Sequence, residues 1–196
     1  DNGVKVNKIL MKGIDTVRSN FPIALRLILK EVLEDILSDV PKDKIDERIL
    51  NFKDKMKLMD IDDIATPTTV KGMSKYLQVD EQNTSMFSRY YKGTPVHVKA
   101  ALAYNDLLKH FNANTCEPIR NASKIRWVYL KDNPFNIDAV AFKGYNDPKE
   151  IMDFINQYID RDKLFNKALR KKIQMFYDSM KWDMPVDKKT SIERFF

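Results

Sequence analysis

Apolar residues recur at spacings of three and four in two stretches near the start of the chain. In "SNFPIALRLILKEVLEDILSDV", Leu25, Ile28, Leu29, Val32 and Ile36 fall on one face behind Pro22, which predicts an amphipathic helix. After Pro41, Ile45, Ile49, Phe52, Met56 and Met59 repeat the pattern and predict a second helix. Before these, the β-branched "VKVNKILMKGIDTV", Val4 to Val17, reads as strand broken at Gly13. Between Asp60 and Lys92 no period holds, and no element is assigned there.

Helical spacing resumes in "YYKGTPVHVKAALAYN". Thr94 is read as its N-cap and Pro95 as the first helical residue, with the helix running to about Phe111. Alternation in "KIRWVYLK" and again in "DAVAFKG", joined by "DNPFNI", predicts a β-hairpin over about 124–144. Asp147-Pro148-x-Glu150 has the form of a capping box and opens a helix to about Tyr158. A last helix is expected over about Asp162 to Trp182, before an unstructured tail, "DKKTSIERFF". The fold class is therefore α+β, mostly helical, without repeats.

Charge sharpens this picture. The 196 residues carry a net charge of +6, and from Asp160 onward there are ten Lys/Arg against six Asp/Glu. A basic C-terminal third suits a nucleic acid, an anionic membrane or an acidic protein. No apolar run approaches a membrane span and no signal-peptide pattern opens the chain. A lone cysteine, Cys116, forms no internal disulfide, which fits a reducing cytoplasm. The first residue, Asp1 rather than Met, suggests a piece of a longer chain.

Three constellations are candidates for chemistry. At the Thr94 helix, Lys92, His97 and Lys99 add positive charge to an end that free amides already make positive, and Gly93 allows close approach. This reads either as a phosphate cradle or as an ordinary capped helix. Lys163, Lys167 and Lys171 recur every four residues on the last helix, as a backbone-tracking stripe or a solvated face. In "SIERFF", Ile192, Phe195 and Phe196 suit a partner's pocket, or fold back on the chain's own core. Asp60-Ile61-Asp62-Asp63 lacks the glycine and distant glutamate of a calcium loop, and two histidines with one cysteine leave no zinc site to expect. No residues are assigned a catalytic or metal-binding role.

"MKGIDTVRSNFP", "KGTPVHVKAALAYN", "IRWVYLKDNPFNIDAVAF" and "IDRDKLFNKALRKKI" occur in this order. In them the chain resembles the C-terminal part, end of palm plus thumb, of the family B replicative DNA polymerases of T-even-type bacteriophages. The resemblance implies palm-derived strands over 1–20, a thumb over 21–182 and a clamp-binding tail over 183–196. It implies that Lys92, Gly93, Thr94, His97, Lys99, Lys163, Lys167 and Lys171 face the backbone of the primer–template duplex. It implies that Ile192, Phe195 and Phe196 dock on a sliding clamp. The implied partners are duplex DNA, the clamp and an N-terminal polymerase portion bearing exonuclease, palm and fingers. Catalytic aspartates and Mg²⁺ would belong to that portion, so this chain alone is expected to be inactive and to hold no cofactor. The implied setting is the cytoplasm of an infected bacterium. The chain would be a fragment of the polymerase or a subunit of a split one; the alternative is a non-catalytic DNA- or clamp-binding accessory protein. Three positions depart from the family pattern: Ala100 stands where glycine is common, Arg161 replaces an aromatic residue, and Lys172 stands where proline often ends the basic run.

Overall fold

The computed structural model describes residues 19–78, 87–113 and 115–186. The strand expected over Val4 to Val17 and the "SIERFF" tail lie outside them. Helix α1 spans Ile23–Leu37 and α2 spans Lys42–Met56. Leu25, Ile28, Leu29 and Val32 of α1 are buried, as are Ile45, Ile49, Phe52 and Met56 of α2. Ile36 and Met59, expected on the same faces, are only half-buried because they sit at or past the helix ends. Arg48 of α2 ties the two helices together through Glu31 at 3.1 Å and Asp35 at 2.7 Å.

The stretch without a hydrophobic period contains short elements. Helix α3 covers Ile61–Ile64, strand β1 Thr66–Thr69 and helix α4 Met73–Tyr76. Asp60, discounted above as a metal ligand, caps α3 by accepting the Asp62 N–H at 2.9 Å. Periodicity misses β1 because it is four residues long and contains Pro67, a residue that sheets tolerate mainly at their margins.

Helix α5 spans Val96–His110, and the expected hairpin forms from β2, Lys124–Tyr129, and β3, Ala139–Phe142. The strands make one antiparallel sheet in the order β1-β2-β3, with Thr66 opposite Trp127 and Trp127 opposite Ala141. Asn133 shapes the hairpin loop by donating to the Lys131 and Ile137 carbonyls, both at 2.8 Å. Helix α5 lies against β3, and buried Ala100, Ala101 and Ala103 meeting buried Ala139 and Ala141 allow a close approach. The alanine at 100 is therefore a packed core residue.

Helix α6, Lys149–Tyr158, begins after Pro148, but Asp147 does not cap it. Its carboxylate instead accepts the N–H groups of Lys143, at 3.0 Å, and Gly144, at 2.7 Å, closing the turn after β3. Gly144 has φ +84, and a side chain there would collide with the Arg126 guanidinium. That guanidinium is held to Asp62 at 3.1 Å. The last helix is composite: α7 over Arg161–Leu164, a π-helical segment over Phe165–Arg170, and α8 over Lys171–Ser179. It ends three residues before the expected Trp182. The fold class is α+β with one small antiparallel sheet, as expected.

Candidate nucleic-acid interface

At the head of α5 the structure shifts the expected cap by one residue. Pro95 takes the N-cap position with extended ψ of 142°, and Val96 is the first helical residue. Thr94 is buried and donates its hydroxyl to the Tyr91 carbonyl at 2.6 Å, so it fastens the preceding turn instead of capping the helix. Proline lacks an N–H and fixes φ near the value this junction requires, so it can lead into a helix from this position. The same arrangement recurs at Pro22, Pro41 and Pro148.

Lys92 and Gly93 are exposed on the turn, and Gly93 has φ +86 with open space where a Cβ would stand. His97 and Lys99 are two residues apart on α5 and therefore leave the helix about 200° apart. They flank the helix and do not converge on one point. The Lys99 ammonium lies 4.8 Å from the Tyr90 ring centroid and lines a small cleft with Asp106 and Asp138. Asp106, nearly inaccessible, accepts from the Ser88 N–H at 2.7 Å and the Ser88 hydroxyl at 3.0 Å. Burial pushes the His97 pKa down, and burial with the nearby Asp138 carboxylate pushes the Tyr90 phenol up.

The lysine trio on the terminal helix is divided. Lys163 is half-buried, with its ammonium 5.2 Å from the Tyr129 ring centroid. It lines a polar cleft with Asp132, Asp138 and Asp160. Lys167 and Lys171 are exposed, and no ion pair engages either among the described residues. The π-helical segment bears on their spacing. In an α-helix each four-residue step overshoots a full turn by about 40°. Here Phe165, Leu169, Ile173 and Tyr177, four apart, all remain buried. The wider i→i+5 turn takes up the drift, so residues four apart stay in register on the solvent side as well.

Two anchors hold this helix. Tyr177 is buried and donates its hydroxyl to Asp46 of α2 at 2.8 Å; burial and that carboxylate push its pKa up. Arg161 donates to the Met56 carbonyl at 2.9 Å and the Met59 carbonyl at 2.8 Å, where α2 ends. Burial lowers the Arg161 pKa, and Asp60 partly offsets this. Arg161 is thus a C-terminal cap for α2.

A feature absent from the sequence reading lies just ahead of α5. Leu77 and Tyr90 form an antiparallel bridge, with Gln78 N–H donating to Arg89 at 2.9 Å and Tyr91 N–H to Tyr76 at 3.0 Å. The signal was present in "SRYYKG", where two tyrosines stand between two basic residues without an acid. A cleft of about 550 Å³ between α1 and α2 is lined by Glu31, Glu47, Arg48 and Lys55 and contains none of the candidate cations. Among the described residues no group of three or more His, Cys, Asp or Glu could hold a metal ion. No helix among them is long and apolar enough to cross a membrane.

No protein-family model matches the chain, and no curated protein matches it by sequence. Among solved structures the chain is similar to the family B DNA polymerase from the hyperthermophilic archaeon Pyrobaculum calidifontis. The identity is 18% and the TM-score 0.46, over 78% of this chain and 17% of that one.

Proposed function

We propose that this chain is the thumb-bearing C-terminal portion of a T-even-type phage family B DNA polymerase and grips the primer–template duplex by its phosphates. The observation that carries the reading is the pair Lys167 and Lys171. Both are exposed, one four-residue step apart, on a helix whose opposite side is anchored in the core. Cations held this way match a regularly spaced phosphate backbone without reading bases. The resemblance carried by the ordered motifs quoted above supports the reading, and exposed Lys92 beside open Gly93 offers a second point of contact. His97, Lys99 and Lys163, being half-buried, contribute less to the grip in this reading. The tail, through Ile192, Phe195 and Phe196, would bind the sliding clamp. Nucleotidyl transfer with its Mg²⁺ ions would take place on the N-terminal portion, in the cytoplasm of an infected bacterium.

The test is the salt dependence of duplex binding. Neutralising a handful of phosphates gives a log–log slope of roughly −3 to −5, at about −0.9 per phosphate. The double substitution Lys167→Ala, Lys171→Ala is expected to flatten that slope by up to about 2 units, read by fluorescence anisotropy on a labelled duplex. An unaltered slope overturns the assignment of the pair.

A further inference from the structure

The bridged segments ahead of α5, Lys71 to Gln78 and Phe87 to Lys99, contain five Lys/Arg and one histidine but no Asp or Glu. Lys163 to Tyr177 of the terminal helix likewise has five Lys/Arg and no acid, and residues 79–86, between the bridged segments, include Asp80 and Glu81. The arm ahead of α5 differs from that helix in its aromatic residues. The Leu77–Tyr90 bridge places Tyr76 directly opposite Tyr91, so both side chains leave the same face of the ladder. Tyr91 is 53% exposed, and Tyr76 is half-buried with the Lys75 ammonium 5.8 Å from its ring centroid. Exposed Lys92 follows immediately, and Gly93 leaves room beside it.

We infer that this face binds an unpaired stretch of nucleic acid, with Tyr91 as the stacking platform and Lys75 and Lys92 as the phosphate contacts. The inference rests on the nucleic-acid reading above and adds a second kind of strand to it. Bases that outnumber acids along such a segment favour a polyanion. An open ring adds affinity only if the polyanion carries a flat apolar surface that can reach it. Bases of a duplex interior are already stacked on each other, whereas those of a single strand are free to swing out onto a tyrosine. Lys167 and Lys171, on a helix whose Phe165 and Tyr177 are buried, suit the duplex; the Tyr91 face suits the strand that leaves it.

The experiment measures binding of the full 196-residue chain to three labelled probes: a thymidine dodecamer, an abasic strand of equal length, and a blunt duplex. Tyr91→Ala is expected to weaken dodecamer binding about tenfold, within the range for removing a stacking aromatic. The same variant leaves duplex binding within about twofold, and Tyr91→Phe keeps most of the dodecamer affinity. The unsubstituted chain is expected to bind the abasic strand less tightly than the dodecamer. Equal losses on duplex and dodecamer, an unaffected dodecamer, or equal binding of dodecamer and abasic strand each overturn the inference. If the duplex binds and the dodecamer does not, only this inference falls; if neither binds, the function proposed above falls with it. Melting temperatures of both variants exclude unfolding as the cause.

Discussion

At the scale of the residue, His97 offers a proton as a probe. Its pKa in the folded protein lies below the ordinary 6.5 because burial disfavours the imidazolium. The unfolded chain therefore takes up the proton first as the pH falls. Stability is then expected to decline below about pH 6.5, and less steeply in His97→Gln, measured by urea midpoints across that range. A phosphate placed against the ring would act in the opposite direction and favour the charged form. Titration of the ring by NMR is accordingly expected to show the pKa rising when duplex is added. A pKa that stays depressed removes His97 from the interface and leaves it as a packing residue.

At the scale of the element, the π-helical segment can be tested by shortening it. Asn166 is exposed within Phe165–Arg170, and its deletion would allow ordinary i→i+4 winding. One residue fewer, wound at about 100° per residue, would keep Ile173 and Tyr177 on the buried face, because a π-helical turn accommodates one extra residue in an α-helix. The expected result is a melting temperature close to that of the parent chain, whereas deleting exposed Met175 from α8 would swing Tyr177 off that face at a cost of about 1.5–3 kcal/mol. Deleting Asn166 is also expected to weaken duplex binding modestly, since ordinary winding reopens an offset of about 40° between Lys167 and Lys171.

Helices α1, α2 and α5 and the β2–β3 hairpin were legible because their own residues repeat at 3.6 or 2. The π-helical segment was not, because Phe165, Leu169, Ile173 and Tyr177 satisfy a four-residue spacing that ordinary helices also tolerate over short runs. Strand β1 was hidden because the residues that pair with it lie far along the chain. The caps expected from Thr94 and Asp147 failed for a related reason. Each side chain had a choice of nearby backbone groups, and tertiary packing decided which. Of the candidate site, the lysines were legible as a spacing. Their division was not, since it follows from Tyr129 sitting under Lys163. The pairing of Tyr76 with Tyr91 needed a bridge between segments that show no alternation.

At the scale of the molecule, Arg161 joins the end of the first helical pair to the start of the terminal helix. Its two bonds reach carbonyls more than a hundred positions earlier in the chain. Arg161→Ala would leave those carbonyls without their donor and is expected to cost about 2 kcal/mol, the range for hydrogen bonds to a charged group. Chemical denaturation checks this, with Arg161→Lys recovering part of the loss by reaching one carbonyl.

Strand β1 has a consequence for how the chain is made. Thr66 pairs with Trp127, 61 positions later, whereas β2 meets β3 across a single loop. A ribosome adding about 5–20 residues per second needs about 3–12 s to cover that interval. For those seconds Thr66–Thr69 is outside or within the exit tunnel with no partner yet synthesised. α1 and α2, already complete, can dock first and hold it. Pro67 lacks an N–H, which makes the waiting strand a poor template for another nascent chain on the same message. Strand β1 can thus join the sheet only after β2, at the other end of that interval, has emerged.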